Sequence, residues 1–114
     1  MISDLPKNAT LKQLQEYIIK MKIERNFDND KLFEADLLLG ECNELISAVR
    51  KHNEINTINH MNDELVGSVR EEIADVLIYL LNIANQHNID LDEALREKEA
   101  YNDIRFKDRV KKCS

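Results

Sequence analysis

A chain of 114 residues with only two glycines and one proline has very few places to turn. Tight turns depend on Gly, Pro, Asn and Asp for their special backbone angles, and a β-rich fold needs such turns every few residues. So scarce a supply predicts an all-α chain of long helices joined by few loops. The length suits one domain spanning 1–114. The core must be aliphatic, because the chain has no Trp and only three Phe and three Tyr.

The helix boundaries follow from capping and period. Residues 1–9 read as a frayed leader, with Pro6 opposing early helix. Thr10-Leu-Lys-Gln13 is a capping box, and a first helix then runs to about Arg25 with Leu11, Leu14, Ile18, Met21 and Ile19 as its apolar stripe. Asn29 or Asp30 caps a second helix from about Lys31 to His52, with Leu38, Cys42, Leu45, Ile46 and Val49 as its core face. Asn53 to Asn62 reads as a loop, followed by a short turn over Asp63 to Val66 that Gly67 ends. Ser68-Val-Arg-Glu71 is a second capping box, opening a third helix to about His87. Asn88 suits a left-handed stop. Asp90 caps a fourth helix to about Arg109, and 110–114 read as a mobile tail. The expected architecture is an antiparallel, four-helix-bundle-like fold.

Charge excludes several functions. A net charge of −6 opposes long-range attraction to duplex phosphates. No apolar run reaches the length of a membrane span, and no signal pattern opens the chain. A cytoplasmic location is expected. Cys42 and Cys113 are distant and lack a Cys-x-x-Cys spacing, so both read as free thiols. His52, His60 and His87 lack zinc-ligand spacing. There is no glycine-rich phosphate loop, so a phosphate ligand would have to be held through metal and side chains.

The acidic pairs Glu41/Glu44 and Glu72/Asp75 each fall three residues apart, on one face of a helix. Two antiparallel helices with facing pairs gather four carboxylates, an oxygen-rich set that suits Mg²⁺ or Mn²⁺. The spacing alone is what 22 acidic residues produce by chance. Placement says more. The run from Ile73 to Ala84 is apolar nearly all round, so the third helix must be covered, and Glu72 and Asp75 share a side with Val76, Tyr79 and Ile83. Glu41 and Glu44 are continued by Leu37 and Ala48. Acids in such places need neutralising. Residue types alone leave both metal ions and a salt-bridge network open. Asp63, Glu64, Glu97 and Asp108 read as solvated, and Asp90 and Glu93 as a helix cap.

In order, Leu39-Gly-Glu-Cys-Asn-Glu-Leu45, Glu71-Glu-Ile-Ala-Asp-Val-Leu-Ile-Tyr-Leu-Leu81 and Ile89-Asp-Leu-Asp-Glu-Ala-Leu95, followed by Lys98, Asn102 and Arg105, resemble the MazG-like all-α nucleoside triphosphate pyrophosphohydrolases. The resemblance covers roughly residues 25 to 106. It departs from many members at Gly40, where they carry an acid, and at Tyr101, where they carry Lys. It implies a helical fold that packs across an oligomer interface as a homo-dimer or tetramer. It implies Mg²⁺ on Glu41, Glu44, Glu72 and Asp75, with Mn²⁺ as a substitute. It also implies substrate phosphates on Lys98, Asn102 and Arg105, and cleavage of a (d)NTP to the (d)NMP and pyrophosphate. A carboxylate then activates water, for which Glu44 and Glu72 are the candidates. Phe27 or Phe33 is the candidate aromatic for the base. The rival readings are a non-catalytic helical adaptor, and a related hydrolysis of dUTP or phosphoribosyl-ATP.

Overall fold

The structure, a computed structural model, describes residues 1–27, 30–58 and 63–109, with side chains described outside 54–67. The described residues form four α-helices: α1 (Leu11–Glu24), α2 (Lys31–Ile58), α3 (Asp63–Gln86) and α4 (Leu91–Arg105). Short 3₁₀ turns sit at Ile2–Asp4 and Lys107–Arg109, and no strand occurs among the described residues. The all-α expectation is met.

The helix ends follow the local chemistry. Thr10 and Gln13 close a reciprocal box: the Gln13 N–H donates to Thr10 Oγ1 at 3.1 Å, and the Thr10 N–H donates to Gln13 Oε1 at 2.8 Å. Asp30 Oδ1 accepts from the Phe33 N–H, and Asp90 Oδ1 from the Glu93 N–H. Each such cap is worth about 1 kcal/mol. α1 and α3 stop in the same way. Asn26 and Asn88 take left-handed φ values of 54° and 56°. The paired turn bonds Phe27 N–H to Lys22 O and Asn26 N–H to Ile23 O, and likewise Ile89 N–H to Ala84 O and Asn88 N–H to Asn85 O, make both stops Schellman motifs. Asparagine does here what glycine usually does, which explains how so glycine-poor a chain turns at all.

Three boundary expectations fail. α2 continues through Asn53 to Ile58, where a loop over Asn53 to Asn62 was expected; 59–62 lie outside the described residues. Asn and β-branched residues weaken a helix by only tenths of a kcal/mol each, so with no Pro or Gly to stop it the helix propagates. α3 starts at Asp63 and passes through Gly67, so Ser68 is an interior residue and the Ser68–Glu71 capping box does not form. One glycine costs about 1 kcal/mol and does not break a long, apolar helix. α4 ends at Arg105, four residues before Arg109, and the chain tightens into the second 3₁₀ turn. The 110–114 tail, with Cys113, lies outside the described residues, as does His60.

α2 and α3 pair as an antiparallel hairpin, α1 packs on α3, and α4 packs on α1. The first core cluster is Ile18, Met21 and Leu81, with Leu14, Tyr17 and Leu91 against it. A polar clamp locks these layers. Gln15, 8% exposed, donates through Nε2 to Asn85 Oδ1 and the Ile89 carbonyl and accepts the Leu91 N–H on Oε1. Asn85 Nδ2 returns a bond to the Gln15 carbonyl. With these polar atoms paired, the buried amides do not carry the usual desolvation penalty.

The chain is open for its size. Its radius of gyration is 17.8 Å, against about 13 Å for a compact domain of this length. Ile46 and Val49 on α2, expected in the core, are 48% and 41% exposed, while Ala48 is buried. On α3, Ile73, Leu77, Ile78 and Leu80 are all at least 40% exposed. The inner side of α2 runs through Glu34, Leu37, Glu41 and Ala48 together with the expected Leu38, Cys42 and Leu45, which are half-buried. The acids lie on the inside of the hairpin, and much of the aliphatic surface lies outside.

Candidate metal centre

Helical period and antiparallel pairing build the site. Glu41 on α2 faces Glu72 and Asp75 on α3, and one carboxylate oxygen from each lies within 4.8 Å of the others. All three side chains are half-buried. Oε2 of Glu41 and Oε2 of Glu72 are buried without a hydrogen-bond partner, and no ion pair to the trio occurs among the described residues. The salt-bridge network left open by the sequence is not seen at the trio among the described residues.

The electrostatics reflect that crowding. Burial, then the neighbouring Glu72 carboxyl and the charges of Glu44 and Asp75, push Glu41 up to about 7. Glu72 is raised too, first by burial, with Glu44 and Asp75 adding and Glu41 opposing. The Tyr79 phenol is raised by burial and by the surrounding carboxylates, Glu41 and Glu34 foremost. Among the described residues no cation is paired with the trio, although Lys51 lines the neighbouring groove with Glu72, so protons or a metal ion are left to neutralise it. Hard carboxylate oxygens at this separation fit a divalent ion such as Mg²⁺, and the two unpartnered buried oxygens fit it independently of spacing.

Glu44 is not in the trio. It is exposed and shares a shallow groove with Glu72, Ser47 and Ser68. Lys98, Asn102 and Arg105 have no hydrogen bond or ion pair to the acids among the described residues. They stand on α4, which packs on α1. Lys98 lies over the Tyr101 ring at 5.0 Å and Arg105 over the Phe106 ring at 4.8 Å. Asn102 donates to Glu99, and its Oδ1 is buried without a partner.

The sequence reading missed the chemistry next to the trio. A cavity of about 370 Å³ shares Asp75 with it and is also lined by Tyr79, Phe27 and Phe33. Lys22 and Glu34, 7% and 8% exposed, form a buried ion pair at 3.2 Å on its wall. Asn82, 5% exposed, lines it with an unpartnered Nδ2. The signal was present: Lys22 follows Ile18 by four residues on the buried stripe of α1, and Glu34 precedes Glu41 by two turns.

Fold and site together define an all-α protein with a carboxylate centre suited to a divalent cation, set between two paired helices. The profile of the MazG nucleotide pyrophosphohydrolase domain matches residues 32–100, and the chain belongs to that family. The matched stretch contains the whole trio and most of α4. No curated protein matches the chain, and no helix among the described residues is long and apolar enough to cross a membrane.

Proposed function

We propose that the chain is a Mg²⁺-dependent nucleoside triphosphate pyrophosphohydrolase of the cytoplasm, converting a (d)NTP to the (d)NMP and pyrophosphate. The observation that carries this reading is the Glu41–Glu72–Asp75 trio with its two buried, unpartnered oxygens, on the helices that bear the family's motifs.

Glu41, Glu72 and Asp75 hold Mg²⁺, with Glu44 reaching it from the groove edge; Mn²⁺ substitutes. When bound, the ion offsets the repulsion between triphosphate and carboxylates and acidifies a coordinated water. Glu44 and Glu72 would accept the proton of the attacking water, because they line one groove and Glu44 is open to solvent. The water oxygen joins phosphorus, the bridge between the α- and β-phosphates breaks, and pyrophosphate leaves.

Lys98, Asn102 and Arg105 grip the phosphates. Since α4 packs on α1 and makes no hydrogen bond or ion pair to the trio among the described residues, this grip is completed by a second copy in a homo-dimer or tetramer. The exposed aliphatic residues of α2 and α3 and the open shape of one chain support such an assembly. Duplex nucleic acid and membrane are not partners of this acidic surface.

The test is a panel of ribo- and deoxynucleoside triphosphates, with dUTP and phosphoribosyl-ATP included, incubated with and without Mg²⁺ and read for pyrophosphate. Metal-dependent release from any member supports the hydrolase. No release together with no effect of Mg²⁺ on melting identifies a non-catalytic helical adaptor.

A further inference from the structure

The groove beside the trio holds a lysine as well as acids. Glu44, Ser47, Ala48 and Lys51 recur at one-turn intervals on α2, so they share one face, and all four line the groove. Ser68 and Glu72, one turn apart on α3, line it from the other helix. Because the helices run antiparallel, Ser68 falls on the Lys51 side of Glu72. Glu44 and Lys51 stand two turns apart, about 10 Å along the helix axis. The groove therefore starts at carboxylates, passes the Ser47 and Ser68 hydroxyls over the buried Ala48, and reaches an ammonium. Glu44, Ser47 and Lys51 are exposed. Lys51 has no ion pair among the described residues. Its stem is long and flexible, and its head carries three donors and one full charge.

Resting on the pyrophosphohydrolase reading, we propose that Lys51 couples metal loading to substrate loading: it opposes a divalent cation that arrives alone and favours one that arrives with a polyphosphate. In the empty site Lys51 is the one cationic side chain lining the groove that Glu44 and Glu72 share. A bare Mg²⁺ is drawn by the carboxylates but repelled by that ammonium. A metal–triphosphate complex brings negative charge with it. Its phosphate oxygens accept from the Ser47 and Ser68 hydroxyls and from the Lys51 ammonium, a charge-assisted bond. The same lysine therefore weakens the free ion and strengthens the complex. Such coupling is reciprocal: the polyphosphate tightens the metal by the factor with which the metal tightens the polyphosphate. The carboxylates then fill with metal chiefly when there is a phosphate to attack.

The test is calorimetric binding to the full chain of two probes, free Mg²⁺ and the Mg²⁺ complex of inorganic triphosphate, which carries no base. The proteins compared are the wild type, Lys51→Met, Lys51→Arg and Lys20→Met. Lys51→Met is expected to bind free Mg²⁺ about 3–10-fold more tightly and Mg²⁺–triphosphate about 3–10-fold more weakly. Lys51→Arg keeps the charge and should stay close to the wild type. Lys20→Met removes the same charge from α1, where Lys20 lines a different cavity, and should leave both affinities unchanged. Both shifts should shrink in 1 M salt, where screening acts within about 3 Å. Melting curves verify folding, which an exposed side chain such as Lys51 does not govern. Affinities that move in the same direction, a shift in only one or in neither, or equal shifts in Lys20→Met overturn the coupling. Opposed shifts without hydrolysis of any nucleoside triphosphate support the coupling and overturn the hydrolase. Hydrolysis without opposed shifts overturns the coupling and leaves the hydrolase standing.

Discussion

Proton and metal compete for Glu41, and the competition has a calculable size. Its carboxyl is pushed up to about 7 from an ordinary value of 4.5. A raised carboxyl binds its proton more tightly in the folded state than in the unfolded one. Its contribution to stability is therefore full below about 4.5 and is lost as pH rises through about 7. Without metal, the protein should lose stability across that window. Glu72, raised in the same direction, adds to the loss. Mg²⁺ takes the proton's place, so its stabilising effect should grow as pH rises. With one proton to displace, apparent Mg²⁺ affinity should fall by roughly tenfold between pH 8 and pH 6, and more steeply if Glu72 releases a proton too. The assay is calorimetric Mg²⁺ titration at half-unit steps from pH 5.5 to 8, with melting temperatures at each pH with and without Mg²⁺. Glu41→Gln isolates the effect, since it cannot titrate; its metal-free stability should fall less between pH 5 and 7 than that of the wild type. Mg²⁺ affinity that is flat between pH 6 and 8, or identical pH profiles for the two proteins, would refute the reasoning.

Further perturbations probe the frame around the site. Lys22→Met leaves the Glu34 carboxylate buried and unpaired, and should cost about 3–5 kcal/mol in denaturant unfolding; adding Glu34→Leu should recover much of it, because the pair rather than either charge is tolerated there. Gly40 stands inside α2 with nothing within 4 Å of where a Cβ would lie, so Gly40→Ala should raise stability by about 0.8–1 kcal/mol, seen as a higher melting temperature. Gln15→Leu strands Asn85 Oδ1, the Ile89 carbonyl and the Leu91 N–H and should cost about 2–4 kcal/mol, with faster amide exchange at the start of α4.

Much of the fold was legible in the sequence because its signals are local. Thr10 with Gln13, Asn88 and Asp90 each act on backbone groups within a turn of themselves, and each sits where the pattern put it. Ser68-Val-Arg-Glu71 carries the same signature but fails, because the apolar run of α3 extends the helix past Gly67 and swallows the cap. The facing of α2 was hardest to read. Leu38, Cys42 and Leu45 of the expected stripe are half-buried, but Ile46 and Val49 at its edge are exposed while Glu41 and Ala48 turn inward. The trio was legible once Glu41, Glu72 and Asp75 were seen to interrupt apolar helices. Glu44 shared the spacing but not the burial. Lys22 and Glu34 each fall on a buried helical face by spacing, but that they pair was not legible, because they belong to different helices and only packing brings them together.

The most direct test of the central claim is Mg²⁺-dependent pyrophosphate release by the wild-type protein, Glu72→Gln and the surface control Glu97→Gln. Melting curves verify that each is folded. Release should require Mg²⁺, fall by about 100-fold or more in Glu72→Gln, and persist in Glu97→Gln. Release that survives in folded Glu72→Gln, or that proceeds equally without a divalent ion, would contradict a carboxylate metal centre built on Glu41, Glu72 and Asp75.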